Sequence, residues 1–468
     1  MSTYQTVNPA TGQSLASFPS LADAEAEGVL ARSAEAYASW RKTAVKDRSA
    51  ALKRAAELHR ERAEELAGLL TLEVGKPLAE ARGEVALVAS IYEYYADHAE
   101  EFLDDEQLAI AGPGRAIVRT EPIGLIVGVM PWNFPYYQVA RFAAPNLALG
   151  NTVIVKHSRN CPQSALAIEA TLRDAGVPQG VYTNAFVTSG QIAAMVADPR
   201  VRGVSLTGSE KAGSAVAEVA GRHMKKFVLE LGGSDPFIVL ADADLDKAVA
   251  DAVDGRLYNG GQACTASKRF IVENPVYEEF ASRFAAAMKA VRPGDPTAPG
   301  TRLGPLASRA AAQELSEIVK EAIAEGARAL TGDVQGPEGA FFPPTLLSGV
   351  RPGMRAYSEE LFGPVAVVHR ASSAAEAVEI ANDSPYGLAA SVYTSDEAAA
   401  REIAEQLEAG MVWVNSISRS APDLPFGGVK LSGVGRELAR FGINEFANKK
   451  LVRIPRPTST TATPTVRG

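Results

Sequence analysis

Cysteine is scarce in this chain, and several familiar sequence signals are missing. The 468 residues include 2 cysteines and five histidines, and neither a Cys-x-x-Cys pair nor a metal-ligand spacing among the histidines occurs. We therefore expect no disulfide framework, no catalytic metal, reduced thiols and a cytoplasmic location. No apolar run reaches the roughly 18 residues of a membrane span, and the first residues do not form a secretion signal.

Positive charge is also in deficit. Lys and Arg number 47 against 55 Asp and Glu, a formal net charge of −8. With no basic patch, we expect no nucleic acid as a partner, and with no long apolar run we expect no membrane. Hydrophobic residues make up 46% of the chain and charged residues 22%, which is ordinary for a globular enzyme, and the length predicts two or three domains.

Apolar periodicity divides the chain into a helical region and two α/β series. Residues 21–105 have helical periodicity, and 47–73 form one long amphipathic pattern. From Ile123 onward, short apolar runs alternate with helical stretches, which predicts a parallel sheet covered on both faces, with ligands at the carboxyl ends of its strands. A second series follows Gly233, so Gly232-Gly233 is the predicted domain boundary.

Cys264 ends the glycine-rich stretch NGGQAC at 259–264. Glycines let backbone approach a ligand closely, and a thiol in such a loop is typical of a nucleophile. The alternative is a buried thiol that acts as a small hydrophobe. Cys161, which precedes Pro162 at a predicted helix start, fits that structural role better.

Two other polar residues follow predicted strands. Glu230 is placed to act as a general base, because burial would raise its pKa towards neutrality; the alternative is a structural carboxylate. Asn133 lies in a loop stiffened by Pro131 and Pro135, where its amide would donate to an oxyanion. The alternative there is a turn residue.

Gly208 and Ser209 stand where a predicted strand runs into a helix. The free N–H groups of a helix N-terminus bind phosphate readily, and Ser209 would donate to it or cap the helix. An ordinary capped helix is the alternative. The chain lacks Gly-x-Gly-x-x-Gly, so a dinucleotide would need a variant of that site.

Together these segments resemble the aldehyde dehydrogenase superfamily over nearly the whole chain. The motifs that carry the resemblance are, in order, NPATG at 8–12, LEVGKP at 72–77, PWNFP at 131–135, TGS at 207–209, ELGG at 230–233, GQAC at 261–264, EELFGP at 359–364 and PFGG at 425–428. The sequence KH at 156–157, with QVARF at 138–142 and ELGGSDPF at 230–237, is similar to one bacterial branch of succinate-semialdehyde dehydrogenases. His157 replaces the proline that is commonest in the superfamily.

The resemblance implies an α/β fold of the aldehyde dehydrogenase type. It would combine a Rossmann-type cofactor domain, an α/β catalytic domain and a small β oligomerisation flap, in a homodimer or homotetramer. The implied bounds are 1–104 and 121–232 for the cofactor domain, 233–440 for the catalytic domain and 105–120 and 441–456 for the flap. Residues 457–468, rich in Ser, Thr and Pro, are predicted to be a disordered tail.

The family mechanism implies a role for each candidate. The Cys264 thiolate attacks an aldehyde, Asn133 and the Cys264 N–H hold the oxyanion, hydride passes to a nicotinamide, and Glu230 activates water to hydrolyse the thioester. The implied cofactor contacts are Trp132, Ser209 and Gly208 near the pyrophosphate, Lys156 at the adenine ribose, and Glu360 and Phe362 at the nicotinamide.

Arg159 bears on which nicotinamide cofactor is used. Relatives that prefer NAD often have a glutamate at this position, and that carboxylate would repel a 2′-phosphate. Arginine attracts phosphate, and Ser158 would add a hydroxyl donor. We therefore expect NADP to be preferred and NAD to be usable; the alternative is that Arg159 faces solvent.

Arg141 bears on the aldehyde. By resemblance Phe134, Gln138 and Arg141 line the substrate tunnel, with Phe426 opposite. A guanidinium there favours a substrate with a distal carboxylate, namely succinic semialdehyde, and Ser420 would be a second donor. Arg419 either donates as well or faces solvent. The alternative for Arg141 is an ion pair on the helix surface.

Other functions stay open on the sequence alone. The chain could oxidise another semialdehyde or a neutral aldehyde, pass its acyl group to coenzyme A, or serve as a structural protein without activity. Glu230 argues for water over coenzyme A. Cys264, Glu230 and Asn133, present together, argue against a structural protein.

Overall fold

The computed structural model describes residues 3–331 and 337–455. The predicted tail, 457–468, lies outside these ranges. The amino-terminal part consists of an antiparallel hairpin followed by four helices: β1 (Thr3–Val7), β2 (Ser14–Pro19), α1 (Asp23–Trp40), α2 (Val45–Glu61), α3 (Ala63–Val74) and α4 (Leu78–Leu103). The single long helical pattern predicted over 47–73 is wrong, because the chain leaves helical geometry at Arg62 (φ −103°, ψ 17°) and divides into α2 and α3.

A first α/β unit follows two strands that leave the helical region. Its elements, in chain order, are β3 (Glu106–Leu108), β4 (Arg115–Pro122), β5 (Leu125–Val129), α5 (Tyr137–Leu149), β6 (Thr152–Lys156), α6 (Pro162–Asp174), β7 (Tyr182–Asn184), α7 (Ser189–Ala197), β8 (Val201–Thr207), α8 (Glu210–Arg222) and β9 (Lys226–Glu230). Strands β5 to β9 pair in parallel in the order β9-β8-β5-β6-β7. Pro162 occupies the first turn of α6, where its missing N–H costs no hydrogen bond.

A second α/β unit carries a seven-stranded sheet. Its elements are β10 (Pro236–Val239), α9 (Leu245–Leu257), a 3₁₀ turn (Tyr258–Gly261), β11 (Arg269–Glu273), α10 (Asn274–Ala290), α11 (Arg309–Ala324), β12 (Arg328–Ala329), β13 (Thr345–Ser348), α12 (Arg355–Ser358), β14 (Val365–Ala371), α13 (Ala374–Asn382), β15 (Tyr386–Gly387), β16 (Ala389–Tyr393), α14 (Glu397–Gln406) and β17 (Met411–Val414). The sheet order is β12-β13-β14-β11-β10-β16-β17. All four residues of β10 are buried, as expected for a central parallel strand covered on both faces.

The carboxyl-terminal part of the chain adds strands next to β9 and β4, which come earlier in the chain. It contains β18 (Val429–Lys430), β19 (Gly433–Val434), α15 (Ala439–Glu445) and β20 (Ala447–Ile454). Strand β19 joins the edge of the first sheet beside β9, and β20 pairs antiparallel with β4 in a separate three-stranded sheet. The expected α/β fold with parallel sheets is confirmed, and the chain passes from one sheet to the other between β9 and β10.

Candidate active site

Cys264 sits just after a tight turn at the end of α9. Asn259, Gly260 and Gly261 all have positive φ (51°, 64° and 75°). A Cβ at Gly261 would lie 2.1 Å from the carbonyl oxygen of Gly363, so only glycine fits there. The resulting turn leaves the Cys264 side chain half-buried.

The thiol is not activated by its surroundings alone. Burial raises the pKa of Cys264; the charge of Arg141 opposes this, and the carboxylates of Glu360 and Glu230 raise the pKa further. Since the thiolate is the nucleophilic form, a base must take up its proton during catalysis.

Asn133 is held rigidly beside the Cys264 loop. It lies between β5 and α5 and is 5% exposed. Its side-chain Nδ2 donates to the carbonyl of Gln262 (2.9 Å), its Oδ1 accepts from Gln138 Nε2 (2.9 Å), and its own carbonyl accepts from Asn259 Nδ2 (2.9 Å). Because an amide carries two N–H groups, one remains for an oxyanion. Gln138, expected in the tunnel wall, also orients this amide.

Glu230 is the last residue of β9 and is almost completely buried. Its side chain is 2% exposed, and neither carboxylate oxygen has a hydrogen-bond partner among the residues that the structure describes. Burial raises its pKa well above the usual carboxyl range; Arg141 lowers it and Glu437 raises it. A structural carboxylate would be satisfied by donors, so this environment favours a proton acceptor.

Two cavities that share Trp132, Glu360 and Phe362 bring most of the candidates together. The larger cleft has a volume of about 950 Å³, and the inner part, which reaches Cys264, has a volume of about 230 Å³. The predicted site residues that line the inner part are Trp132, Asn133, Gln138, Gly208, Ser209, Cys264, Glu360 and Phe362. Those that line the larger cleft are Trp132, Ser158, Arg159, Glu360 and Phe362.

The inner part combines two aromatic rings with a buried carboxyl group. The rings of Trp132 and Phe362 stand perpendicular with centroids 5.6 Å apart. Glu360 accepts the backbone N–H of Gly233 (3.0 Å), and burial raises the pKa of its carboxyl to about 7. A Cβ at Gly233 would lie 2.1 Å from the Cys264 carbonyl oxygen, so glycine lets these two loops meet.

Three predicted cofactor residues are already engaged within the protein. The Lys156 ammonium donates to the carbonyl of His157 (3.0 Å) and lines neither cavity. Ser209 caps α8 by accepting the N–H of Ala212 (3.4 Å). The N–H of Gly208 is used by the carbonyl of Glu230 (2.9 Å). Lys156 keeps two further N–H groups and Ser209 keeps its hydroxyl proton for donation, so only the Gly208 N–H is unavailable to a cofactor.

The predicted tunnel residues pack into one aromatic wall. Phe134 lies against Tyr137, with ring centroids 6.0 Å apart, and Tyr137 against Phe426, 6.4 Å apart. Cys264 packs against the cluster that contains these rings. Ser420 meets the wall through its Oγ, which accepts the hydroxyl of Tyr137 (2.7 Å).

Arg141 is buried rather than on a helix surface. Its side chain is 1% exposed and forms an ion pair with Glu437, which is 6% exposed. Its guanidinium carbon lies 4.3 Å from the centroid of the Phe426 ring. Arg141 does form an ion pair, but the pair is buried, so the alternative of an ion pair on the helix surface is wrong.

Two residues that contact the predicted tunnel residues were not predicted from the sequence. Tyr258 packs against Phe134 with ring centroids 5.5 Å apart, and Glu437 supplies the counter-charge of Arg141. Tyr258 directly precedes the glycine-rich turn, and an aromatic residue at that point was an available signal. No spacing connects Glu437 with Arg141, because they meet only in the folded chain.

Two kinds of feature are absent from the described ranges, namely metal-binding clusters and membrane-spanning helices. Within them, no group of three or more His, Cys, Asp or Glu side chains is arranged to hold a metal ion. No helix there has both the length and the apolar character needed to cross a bilayer.

The chain is similar to known proteins over nearly its whole length. Residues 1–452 match the model of the aldehyde dehydrogenase family. The succinate-semialdehyde dehydrogenase [NADP(+)] of Deinococcus radiodurans is 54% identical over 96% of this chain and 94% of its own length. Succinate-semialdehyde dehydrogenase [NADP(+)] 1 of Mycobacterium tuberculosis is 45% identical over 96% of this chain and 99% of its own.

A solved structure shares the whole architecture. It is the succinic semialdehyde dehydrogenase of Streptococcus pyogenes in complex with NADP+ as the cofactor, with a TM-score of 0.94 and 41% identity over 97% of this chain and 100% of that one. With a family match over nearly its full length and relatives of this similarity, the chain belongs to the aldehyde dehydrogenase family.

Proposed function

We propose that this protein oxidises succinic semialdehyde to succinate, with NADP+ as the preferred acceptor. The observation that carries the proposal is the single cavity shared by Cys264, Asn133 and the pair Glu360 and Phe362. A nucleophile, an oxyanion donor and a nicotinamide pocket there have one common space, which an aldehyde oxidation requires.

The chemistry follows from the placement of three residues. Glu230 takes the proton of the Cys264 thiol and passes it to solvent. The thiolate adds to the aldehyde carbon, and the free N–H of the Asn133 amide holds the oxyanion. Bound NADP+ supplies a hydride acceptor, and loss of hydride leaves a thioester on Cys264. Glu230 then takes a proton from water, which attacks the thioester and releases the carboxylate and the thiol.

NADP preference rests on Arg159. Its side chain is exposed beside the larger cleft and has no carboxylate within ion-pair distance in the described part of the chain. Ser158 lines the same cleft. The residues present thus fit a 2′-phosphate, which accepts several N–H bonds and carries charge. The two relatives named above carry NADP(+) in their names.

The substrate proposal rests on the aromatic wall and its polar ends. We infer that Phe134, Gln138, Arg141, Ser420 and Phe426 line the path of the aldehyde, which would then contain an arginine and a hydroxyl. This composition suits a short aldehyde whose far end is anionic. The same relatives are named for succinate semialdehyde.

The remaining proposals concern the whole protein. We infer a cytoplasmic homodimer or homotetramer in which the sheet of β3, β4 and β20 is the oligomerisation flap. We also infer a cofactor domain of 1–104 and 121–232 and a catalytic domain of 233–440. Both cysteines are free, which suits a reducing compartment.

The function is tested by kcat/KM values for succinic semialdehyde, glutaric semialdehyde and butanal, each with NADP+ and NAD+. Cys264→Ala is the inactive control. We expect the highest value with succinic semialdehyde and NADP+, and no stimulation by coenzyme A. A preference for butanal would refute the substrate, and a value about tenfold better with NAD+ would refute the cofactor.

A further inference from the structure

Lys268 is a buried lysine that the proposed chemistry does not use. It directly precedes the central strand β11, closely follows Cys264 in the chain and is 1% exposed. Its backbone N–H donates to the carbonyl of Asp235 (3.0 Å), and its own carbonyl accepts the N–H of Val367 (2.9 Å). These bonds attach Lys268 to the start of β10 on one side and to β14 on the other, so its backbone is held in place.

The amine of Lys268 ends at two backbone carbonyl groups. Its Nζ donates to the carbonyl oxygens of Tyr357 (3.4 Å) and Glu359. Tyr357 lies in the short helix α12 and Glu359 directly follows that helix. Carbonyl groups at a helix end lack partners within the helix, and a lysine amine satisfies them well. Because the amine is buried, removing it would leave these carbonyl groups without a donor.

The two carbonyl groups come just before Glu360 in the chain. Residues 359–364 connect α12 with β14 and are called the Glu360 loop below. The Glu360 side chain lines both cavities, and a Cβ at Gly232 would lie 3.1 Å from its Oε2. Lys268 therefore connects the segment that contains Cys264 with the loop that places this carboxylate in the shared space.

Lys268 and Glu360 also interact through their charges. Burial raises the pKa of the Glu360 carboxyl to about 7, and the cations Arg256 and Lys268 lower it. Burial lowers the pKa of Lys268 to about 7, and Glu360 and Glu359 raise it. An amine donates N–H bonds in both its charged and its neutral form, so its bonds to the two carbonyl groups hold on either side of neutral pH.

We propose that Lys268 is a positioning residue whose amine holds the Glu360 loop at a fixed place relative to Cys264, so that Glu360 is set to bind the cofactor. The inference rests on the proposed function, which places a nicotinamide beside Glu360. Lys268 lines neither cavity. The turn before Cys264 is held separately by Arg256, whose Nη2 donates to the Gly261 carbonyl (2.8 Å). Loss of the Lys268 amine should therefore affect the steps that use the cofactor.

The test compares two reactions at the same site. Oxidation of succinic semialdehyde requires NADP+. Hydrolysis of 4-nitrophenyl acetate requires no cofactor, because the Cys264 thiolate displaces 4-nitrophenolate and water activated by Glu230 then releases acetate. The variant Lys268→Met removes the amine and keeps an unbranched side chain of similar length.

We expect Lys268→Met to raise KM for NADP+ by about tenfold, the effect of losing one or two hydrogen bonds, and to lower kcat of the oxidation. Ester hydrolysis without cofactor should stay close to the wild-type rate. The matched control is Lys247→Met, at an exposed lysine of α9 that pairs with Asp251. It should change neither reaction.

A double-mutant cycle tests whether the effect passes through Glu360. If Lys268 acts by placing that carboxylate, Lys268→Met should cost little more in kcat/KM for NADP+ once Glu360→Ala has removed it, about twofold or less. Independent losses that multiply in the double variant would contradict the proposed connection.

The outcomes separate the inference from the function. If the wild-type protein does not oxidise succinic semialdehyde with NADP+, the proposed function is wrong. If it does, and Lys268→Met keeps the wild-type KM for NADP+, only the role of Lys268 is overturned. Losses of equal size in oxidation and in ester hydrolysis would indicate a general structural defect and would also overturn it.

Discussion

At the scale of single residues, the site depends on how its buried charges are paired. Glu230 is buried without a hydrogen-bond partner in the described ranges, while Arg141 and Glu437 pair beside it. The pair keeps Arg141 from neutralising Glu230 completely. Glu230 is therefore kept as a proton acceptor rather than as half of a salt bridge.

The first prediction concerns pH. Because burial raises the pKa of Glu230, the carboxyl is protonated at low pH and becomes an effective base only as pH rises through that raised value. The kcat profile should have an acidic limb whose midpoint lies above the ordinary carboxyl range of about 4. A limb that keeps its midpoint in Glu230→Gln would contradict the assignment.

The second prediction concerns Arg159. Arg159→Glu replaces attraction of a 2′-phosphate by repulsion and should reverse the preference from NADP+ to NAD+. The shift should be of the order of 1–3 kcal/mol in relative kcat/KM. Ser158→Ala is the milder comparison and should weaken NADP+ use only slightly. A variant Arg159→Glu that still prefers NADP+ would refute this role.

The residues proposed to carry the chemistry were easier to find in the sequence than the residues that support them. Cys264 and Asn133 were identifiable because glycine and proline patterns mark their loops. Glu437 was not, because a buried counter-ion leaves no local pattern and is paired with Arg141 only by folding. For the same reason the engaged state of Lys156 and Gly208 was not foreseen.

At the scale of elements, α5 depends on a carboxylate from another helix. Its N-terminus has no side-chain cap of its own. Glu84 in α4 accepts the backbone N–H groups of Tyr136 (3.0 Å) and Tyr137 (3.1 Å) and forms a buried ion pair with Lys76. Since Asn133 lies just before α5, this contact fixes the loop that holds the proposed oxyanion donor.

The third prediction follows from that contact. Glu84→Ala leaves the Lys76 ammonium buried and unpaired and the helix start without its acceptor. It should lower the free energy of unfolding by about 3–5 kcal/mol, measured by urea denaturation. Glu218→Ala breaks an exposed pair with Arg222 within α8 and should cost about 1 kcal/mol or less. Equal effects of the two substitutions would contradict the special role of Glu84.

The elements themselves were only partly predictable. Alternating apolar runs indicated the parallel strands, and Pro162 marked the start of α6. The break at Arg62 was missed because amphipathic periodicity continues across it while the backbone does not. Periodicity reports which face is buried, and it does not report where one helix gives way to another.

At the scale of the whole molecule, exposed apolar side chains mark the sheet proposed as a flap. Leu451 on β20 is 61% exposed and Leu108 on β3 is 36% exposed, and these two strands are the edges of that sheet. An unpaired edge strand and an apolar strand outside the core are features that a second copy of the chain would cover.

The fourth prediction concerns assembly. Sedimentation should show a dimer or tetramer, and Leu451→Glu should shift it towards smaller species because a charge would be buried at the interface. Leu15→Glu, at a side chain 43% exposed on β2, is the control and should leave the assembly unchanged. A monomeric wild-type protein would refute the flap.

The central claim is that Cys264 forms a thioester from succinic semialdehyde which Glu230 hydrolyses with water. The most direct measurement is the intact mass of Glu230→Gln after mixing with succinic semialdehyde and NADP+, beside the same variant with Cys264→Ala. We predict a burst of NADPH with slow turnover, and a mass increase of one succinyl group located on Cys264 and absent from the double variant. Rapid steady-state turnover of Glu230→Gln, with no succinyl adduct, would contradict the account.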